Sequence, residues 1–320
     1  MKRQNDRSIF VLYGPTGVGK TDCADLISRS IPVEIINMDV GQLYEPLSIG
    51  TAKPDWHSSA VAHHMFDVIA EPGDFSCTAY RSQVEQLIVE IWQRGATPLF
   101  VGGSGFYLRE LFFPTTGYGS LKMSLPYGPE VNLWETLFAI DPVRALKIPR
   151  NDVYRLTRAL TIWHATGIKP SAFLPAFKPI APAQLLFLAR DRSALYDRIN
   201  NRADQMLAAG WLNEIFPMMG TTWQSFIMRK KLIGYDDLIS YVLSDQTTST
   251  WLDTVARIKQ RTRNYAKRQE TYGRMLEREL AIASASSGLI NIHRLNLTSM
   301  EVDLYIKRLL AIHGTIFKEG

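Results

Sequence analysis

The chain has few cysteines and no long apolar run, and both absences narrow its class. Only two of its 320 residues are cysteines, Cys23 and Cys77, too few for a disulfide framework or a cysteine zinc site. The apolar run at residues 9–13 is too short for the core of a signal peptide, and no later stretch approaches a membrane span. The sequence therefore predicts a cytoplasmic protein without a membrane segment.

The chain also lacks repeats, low-complexity segments and a strong excess of one charge. Its 36 lysines and arginines against 31 aspartates and glutamates leave a net charge of +5, and 46% of its residues are hydrophobic. This composition is typical of a globular protein with one large domain or a domain carrying an insertion.

The most informative stretch is a glycine-rich loop between a predicted strand and a predicted helix. The apolar run at residues 9–13 leads into Gly14-x-x-x-x-Gly19-Lys20-Thr21. Such glycines let backbone N–H groups converge beside a helix N-terminus, which suits phosphate oxygens. Lys20 would add a full positive charge, and the Thr21 hydroxyl is placed to bind Mg²⁺ between phosphates. The motif predicts a phosphate site and leaves open whether the phosphates belong to a nucleotide.

Further apolar runs predict the other strands of a parallel sheet. Three of them cover residues 33–37, 98–101 and 184–189, and residues 289–292 are a possible last strand. Helical patterns cover residues 76–94 and 191–209. This alternation is typical of a doubly wound α/β fold, whose ligands bind beyond the carboxyl ends of its strands. We therefore predict a P-loop-type parallel sheet flanked by helices.

Residues 114–140 differ from the rest in sequence pattern, because glycines and prolines interrupt them and only residues 133–140 have a helical pattern. We predict that residues 1–113 and 141–320 form the catalytic core. Residues 114–140 would form a small, mainly helical insertion.

Polar side chains follow three of the predicted strands and would approach the glycine-rich loop. Asp39 follows the second strand and could bind Mg²⁺ through water, act as a base or cap the next helix. Ser104 follows the third strand and could cap a helix or reach a phosphate. Arg192, Arg198 and Arg202 lie on the helix after the fourth strand, from which an arginine can reach the phosphate site.

Positive charge is concentrated in residues 254–279. This window has eight lysines and arginines and three glutamates, so its net charge of 8 − 3 = +5 equals that of the whole chain. Neutral side chains recur there at helical spacing, so the charges flank a packed stripe. The pattern fits either a solvated helix or a surface that binds a polyanion such as a nucleic acid.

A set of motifs in a fixed order resembles the tRNA dimethylallyltransferases, also called tRNA isopentenyltransferases. The IGTAKP and AKRQ pieces are far more specific than the phosphate motif alone. The motifs are GPTGVGKT (14–21), NMDVGQLY (37–44), IGTAKP (49–54), HHMFDV (63–68), VGGSGFYL (101–108), NDVYRLTRAL (151–160), DRSALYDRINNRADQML (191–207), IGYDDL (233–238) and RTRNYAKRQETYGR (261–274).

The resemblance implies a reaction and its partners. A dimethylallyl group would move from dimethylallyl diphosphate to the N6 amine of adenosine 37, beside the anticodon of a tRNA, with release of pyrophosphate. Mg²⁺ would be the cofactor, the tRNA anticodon stem-loop the partner, and the enzyme a monomer. The insertion at residues 114–140 would contact the tRNA.

The resemblance also assigns residues to these roles. Asp39 would take the proton of the amine, while Lys20, Thr21, Ser104 and Arg202 would stabilise charge on the leaving diphosphate. The diphosphate-binding set is Gly14, Pro15, Thr16, Gly17, Val18, Gly19, Lys20, Thr21 and Arg202. The tRNA-binding set is Asp39, Val40, Gly41, Gln42, Ser104, Tyr154, Arg155, Leu156, Thr157, Arg158, Lys231, Gly234, Tyr235, Lys267, Arg268, Gln269 and Arg274.

Five positions depart from the usual family pattern. Val40 replaces Ser, Ser104 replaces Thr, Tyr272 replaces Trp, Ala62 replaces Pro, and Asp236 stands where the family is often basic. Ser104 keeps a hydroxyl, so we expect the diphosphate site to persist.

Three other functions compete with this one. An adenylate isopentenyltransferase, which uses a free nucleotide, would have no use for the basic helix at residues 261–274. A P-loop small-molecule kinase would consume ATP and leave the IGTAKP motif at residues 49–54 unexplained. An RNA-binding protein without activity would have no reason to gather Lys20, Thr21, Asp39 and Ser104 around one pocket.

Overall fold

The computed structural model describes residues 7–115, 125–128, 130–173, 176–285, 287–299, 302–307 and 310. A parallel sheet lies at its centre, with strand order β3-β2-β4-β1-β5-β6. This architecture confirms the predicted fold class. The strands are β1 (Ile9–Tyr13), β2 (Val33–Asn37), β3 (His63–His64), β4 (Thr97–Gly102), β5 (Ala183–Ala189) and β6 (Ile290–Asn296).

Helices cover both faces of the sheet. Within the described ranges, no helix is long and apolar enough to cross a membrane. The α-helices are α1 (Lys20–Ser28), α2 (Cys77–Gln93), α3 (Gly105–Phe112), α4 (Leu133–Ile140), α5 (Pro142–Ala145), α6 (Val153–Thr166), α7 (Arg192–Ala208), α8 (Trp211–Ile215), α9 (Thr222–Lys230), α10 (Tyr235–Val242) and α11 (Thr248–Ser284).

Strand β1 lies in the interior of the sheet and is apolar on both faces. Its five residues are all buried, and successive side chains point to opposite faces of the sheet. Ile9 and Val11 join the apolar core on one face, whereas Phe10 and Leu12 join the core on the other. A strand buried on both sides reads as a continuous apolar run, which is why the sequence predicts it well.

Helices α4, α5 and α6 form a separate small apolar cluster. Leu137 of α4, Ala145 of α5 and Leu156 of α6 are buried together in it. Helix α6 therefore packs on the one helix predicted for the insertion. Residues 116–124 and 129 of the predicted insertion lie outside the described residues, and the domain boundary at residue 140 stays a prediction.

The long helix α11 crosses the structure on a face made partly of small residues. Ala266 and Gly273 are buried on it, as are Ile258 and Leu276. The predicted apolar stripe was only partly right, because the half-buried Tyr265 and other large residues flank this face. Small side chains let the helix approach the strand ends closely. The predicted basic helix is thereby joined to the core of the sheet.

We expect Gly102→Ala to destabilise the fold, because Gly102, the last residue of β4, packs against the backbone of Met38, which follows β2. A Cβ atom there would come within 2.1 Å of the carbonyl oxygen of Met38, which is backbone and cannot rotate away. The free energy of unfolding should fall by roughly 3 kcal/mol in urea denaturation. Gly73→Ala is the control, since its nearest neighbour would be 3.8 Å away. Equal stability of the two variants would contradict this account of the strand ends.

Candidate active site

The loop at residues 14–21, called here the phosphate loop, leaves a helix N-terminus free for an anion. Gly17 has φ +77° and Gly19 has φ +112°, a left-handed backbone that favours glycine. Gly19 is the N-cap of α1 and provides no side-chain cap, so the first N–H groups of the helix keep their donors available. Such a helix end attracts phosphate oxygens.

Two arginines hold the outer side of the phosphate loop. The Nε of Arg198 donates to the carbonyl of Gly17 at 2.9 Å, and the Nε of Arg190 donates to the carbonyl of Val18 at 3.1 Å. Because the N–H and C=O of one peptide unit point in opposite directions, the second contact turns the Gly19 N–H away from Arg190. Arg190 was missed in the sequence, although its place directly after β5 was a usable signal.

Lys20 lies against the loop that it follows. Its Nζ donates to the carbonyls of Gly14 and Pro15, both at 3.0 Å. Burial lowers the pKa of Lys20 to about 8; the negative Asp39 opposes this shift and the positive Arg202 adds to it. The ammonium group is therefore held in place before any phosphate arrives, and it titrates close to neutral pH.

This pKa predicts how pyrophosphate binding depends on pH. The charged form of Lys20 predominates below its pKa of about 8 and is lost as the pH rises above it. We expect the dissociation constant of pyrophosphate to rise about tenfold between pH 7 and pH 9, beyond any change due to the ligand's own ionisation. Titration calorimetry with Lys20→Met gives that ligand contribution. The same pH profile in both proteins would contradict the assignment.

Asp39 is held at the end of β2 by a set of backbone contacts. Its N–H donates to Oδ1 of Asn37 at 2.8 Å, and Nδ2 of Asn37 donates to the carbonyls of Asp39 (3.0 Å) and Met65 (2.8 Å). Its own Oδ1 accepts from the N–H of Gly41 at 3.2 Å and caps a short 3₁₀-helix, Val40–Leu43. Capping uses Oδ1, and among the described residues Oδ2 has no hydrogen-bond partner.

Two cavities meet at Asp39. The first, of about 520 Å³, is lined by Lys20, Thr21 and other residues of the phosphate loop. The second, of about 670 Å³, is lined by residues of α10 and α11, including Tyr235 and Arg268. The arrangement provides an anion site and a larger chamber beside one carboxylate. The residues that line both cavities are Thr16, Asp39, Thr51, Ala52 and Arg202.

Arg202 is the arginine of α7 that reaches the junction of the cavities. Its Nη1 atom is 3.5 Å from Oγ1 of Thr16. Burial lowers the pKa of Arg202, and nearby Asp39 opposes that shift. The structure thus brings Lys20, Thr21, Asp39 and Arg202 together, as the sequence predicted for the catalytic set.

Ser104 is not brought into this group. It is the N-cap of α3, yet its hydroxyl accepts no capping hydrogen bond, and it lines neither of the two cavities. Its backbone N–H donates to the carbonyl of Met38 at 3.1 Å. Ser104 is a buried residue at the start of α3, and its predicted roles in catalysis and tRNA binding stay predictions.

The predicted tRNA-binding residues fall into exposed and buried groups. Tyr154 and Arg155 of α6 are exposed, as are Lys231 and the basic residues Lys267, Arg268 and Arg274 of α11. Val40 is exposed, whereas Gly41, Gln42, Thr157 and Arg158 are half-buried. Leu156, Gly234, Tyr235 and Gln269 are buried, so these four residues do not present a surface to a large partner.

The IGTAKP motif folds over the junction of the cavities. Thr51 and Ala52 line both cavities, and Nε2 of Gln42 donates to their carbonyls at 3.1 and 3.2 Å. Lys53 donates to the carbonyl of Tyr44 at 2.8 Å and forms an ion pair with Asp67. The lysine of the motif therefore supports the loop and does not line either cavity.

Asp236, the acidic departure from the family pattern, is paired inside the protein. Its Oδ1 accepts from Nη1 of Arg261 at 2.7 Å, and the neighbouring Asp237 accepts from Nε of Arg257 at 2.7 Å. Arg261 also donates to the carbonyl of Lys231 at 3.1 Å. Two of the eight basic residues in the 254–279 window are thus used to hold α10 on α11.

The described residues contain no group of three His, Cys, Asp or Glu side chains that could hold a metal ion alone. The oxygens of Thr21, Asp22 and Asp39 do line the first cavity. Mg²⁺ prefers oxygen ligands and commonly takes most of them from water and substrate phosphates. These residues therefore fit an ion that arrives with a diphosphate.

The fold and the site define an α/β enzyme of the P-loop class, in which the cavity at the phosphate loop and a second cavity are joined at one carboxylate. A family model described as IPP transferase matches residues 42–275. The chain therefore belongs to the IPP transferase family. This finding confirms the resemblance drawn from its motifs.

The relatives agree with this assignment. A tRNA dimethylallyltransferase of Symbiobacterium thermophilum is 35% identical over 280 residues, which is 83% of this chain and 86% of the relative. The tRNA dimethylallyltransferase of Bacillus subtilis is 34% identical over 278 residues, which is 83% of this chain and 87% of the relative. These names confirm the predicted enzyme class, a prenyl-type transferase.

Two solved structures share the fold. A eukaryotic dimethylallyltransferase acting on tRNA superposes with a TM-score of 0.78 at 25% identity, covering 98% of this chain and 80% of the other. The tRNA isopentenylpyrophosphate transferase of Bacillus halodurans gives a TM-score of 0.64 at 26% identity, covering 98% and 97%.

Proposed function

We propose that the chain transfers the dimethylallyl group of dimethylallyl diphosphate to the N6 amine of adenosine 37 in tRNA. The observation that carries this proposal is that Asp39 and Arg202 line both cavities. A diphosphate in the first cavity and an adenine in the second would then meet at these two residues. A carboxylate and a guanidinium at that point suit a reaction that removes a proton and releases an anion.

In this reaction a C–N bond forms and a C–O bond breaks. The N6 amine is a poor nucleophile, because its lone pair is delocalised into the ring. Asp39 takes the proton of the amine as N6 bonds to C1 of the prenyl group. The electron pair of the broken C–O bond leaves with pyrophosphate.

The negative charge that develops on the leaving oxygen is met by groups already in place. Lys20 is held by the carbonyls of Gly14 and Pro15, Arg202 lies at the junction, and the N-terminus of α1 faces the first cavity. Donors fixed in advance need no reorganisation during the reaction. Mg²⁺, held by Thr21 and the diphosphate, would neutralise further charge on the leaving group.

The partner would be the anticodon stem-loop. Adenine in a stacked loop must be turned outward to enter the second cavity. The exposed Lys267, Arg268 and Arg274 of α11 would hold RNA phosphates around that entrance. We further propose that the enzyme acts as a monomer in the cytoplasm, where Cys23 and Cys77 remain the free thiols that they are in the structure.

One experiment distinguishes this function from its competitors. Three parallel reactions each contain the chain, Mg²⁺ and labelled dimethylallyl diphosphate. The acceptor is tRNA in the first, AMP in the second and ATP in the third. Label in tRNA alone supports the proposal. Label in AMP or ATP would instead identify a free-nucleotide prenyltransferase. No label in any acceptor would overturn a prenyl-transfer function.

A further inference from the structure

Gln269 differs from the basic residues beside it, because its side chain points inward. It is only 5% exposed. Its Oε1 accepts from the N–H of Thr16 at 2.9 Å, and its Nε2 donates to the carbonyl of Gly103 at 3.0 Å. One amide thereby bridges the phosphate loop and the loop after β4, and neither of its ends is left for RNA.

The bridge is held at a fixed distance from the sheet. The hydroxyl of Tyr13, at the end of β1, donates to the carbonyl of Gln269 at 3.0 Å. Gly103 and Gly273 permit this closeness, since a Cβ atom would come within 2.2 Å of Nε2 of Gln269 at the first and 2.6 Å of the Tyr13 ring at the second. A displacement of α11 would therefore be transmitted to the phosphate loop.

The same turn of α11 faces the proposed RNA site. Lys267 and Arg268, which directly precede Gln269, are exposed, and Arg268 lines the second cavity. Thr16, which donates to Gln269, lines both cavities. One helical turn thus connects the acceptor side to the diphosphate side through a single amide.

We propose that Gln269 is a positioning residue that couples the two substrate sites. This inference rests on the proposed function. RNA held on Lys267 and Arg268 fixes this turn of α11, Gln269 then fixes Thr16 and Gly103, and the phosphate loop binds the diphosphate more tightly. By thermodynamic reciprocity, the diphosphate tightens RNA binding by the same factor.

Binding measurements test the coupling without turnover. The probes are inorganic pyrophosphate with Mg²⁺, and an anticodon stem-loop with purine riboside, which lacks the amine, at position 37. In the unaltered protein, saturating RNA should lower the dissociation constant of pyrophosphate by at least about fivefold, the lower end of typical coupling. The coupling ratio is the dissociation constant of pyrophosphate without RNA divided by its value with saturating RNA. A coupling ratio of one in the unaltered protein would overturn the proposal, whatever the variants do.

Variants then assign the coupling to the amide. Gln269→Met keeps the length of the side chain and removes both hydrogen bonds; Gln269→Glu keeps an acceptor for Thr16 but sets a carboxylate against the Gly103 carbonyl. Both should reduce the ratio to about one, while Gln260→Met, at an exposed glutamine of the same helix, keeps it. Thermal unfolding is recorded for each, and the ratio is read from whichever Gln269 variant folds.

An unchanged ratio in a folded Gln269 variant would contradict the assignment. A merely structural glutamine would lower stability or both affinities without changing their dependence on each other. The proposed function is judged separately by label transfer in the unaltered protein. Transfer with a coupling ratio of one would refute the bridge alone, and absence of transfer would refute the proposed function.

Discussion

Asp39→Asn is expected to lower kcat for dimethylallyl transfer by roughly 10²–10⁴-fold, the usual contribution of a general base. Asparagine still accepts a hydrogen bond from the N–H of Gly41, so the 3₁₀-helix Val40–Leu43 should remain capped. It cannot take the proton of the amine. Single-turnover transfer to the stem-loop measures the loss directly, and RNA affinity by fluorescence anisotropy should stay nearly unchanged.

Asp25→Asn is the matched control for this variant. Asp25 is an exposed carboxylate that lines the first cavity and not the second. Its removal should leave kcat unchanged, because no acceptor amine would reach it. Full transfer activity in Asp39→Asn would show that some other group accepts the proton.

Lys20→Met is expected to lower kcat/KM for dimethylallyl diphosphate by about 10³-fold, similar to the loss of one preorganised donor to a developing oxyanion. Methionine retains much of the side-chain stem but has no charge and cannot donate to the Gly14 and Pro15 carbonyls. Initial rates at varied dimethylallyl diphosphate concentration measure the effect.

Lys147→Met provides the comparison for Lys20, because Lys147 is exposed and lines neither of the two cavities. It should retain the activity of the unaltered protein. If Lys20→Met also kept its kcat/KM, Lys20 would be holding the phosphate loop together and would contribute nothing to the leaving group.

The strands with continuous apolar runs were predictable, and the weakest strand was not. Residues 9–13, 33–37 and 184–189 are buried on both faces, so their sequences carry the signal. Strand β3 has only two residues, and their sequence has no strand pattern. It forms because His63 and His64 pair with β2, an interaction between distant parts of the chain that local sequence does not reveal.

The phosphate loop was predictable for a related reason. The residues that form it are adjacent in the chain, so one short segment of sequence is enough to identify it. The position of Asp39 was predictable because it lies two residues after the end of strand β2. In both cases the local sequence also specifies where the side chains lie.

Residues whose roles depend on distant contacts were harder to assign. The family resemblance placed Gln269 with the tRNA-binding residues, whereas in the structure its Oε1 accepts from the N–H of Thr16, 253 residues earlier in the chain. Arg190 lies outside the motifs, and Asn37 lies in NMDVGQLY, but both act on backbone groups of the site, which local sequence does not reveal. Helix α11 was predicted to carry a packed stripe, but its charge pattern does not show that Ala266 and Gly273 face inward.

The most direct test compares two anticodon stem-loops that differ only in the exocyclic amine at position 37. One carries adenosine there and the other carries purine riboside, and each is incubated with the chain, Mg²⁺ and labelled dimethylallyl diphosphate. The account predicts label in the adenosine RNA and none in the purine RNA. Equal labelling of both RNAs, or of neither, would contradict it.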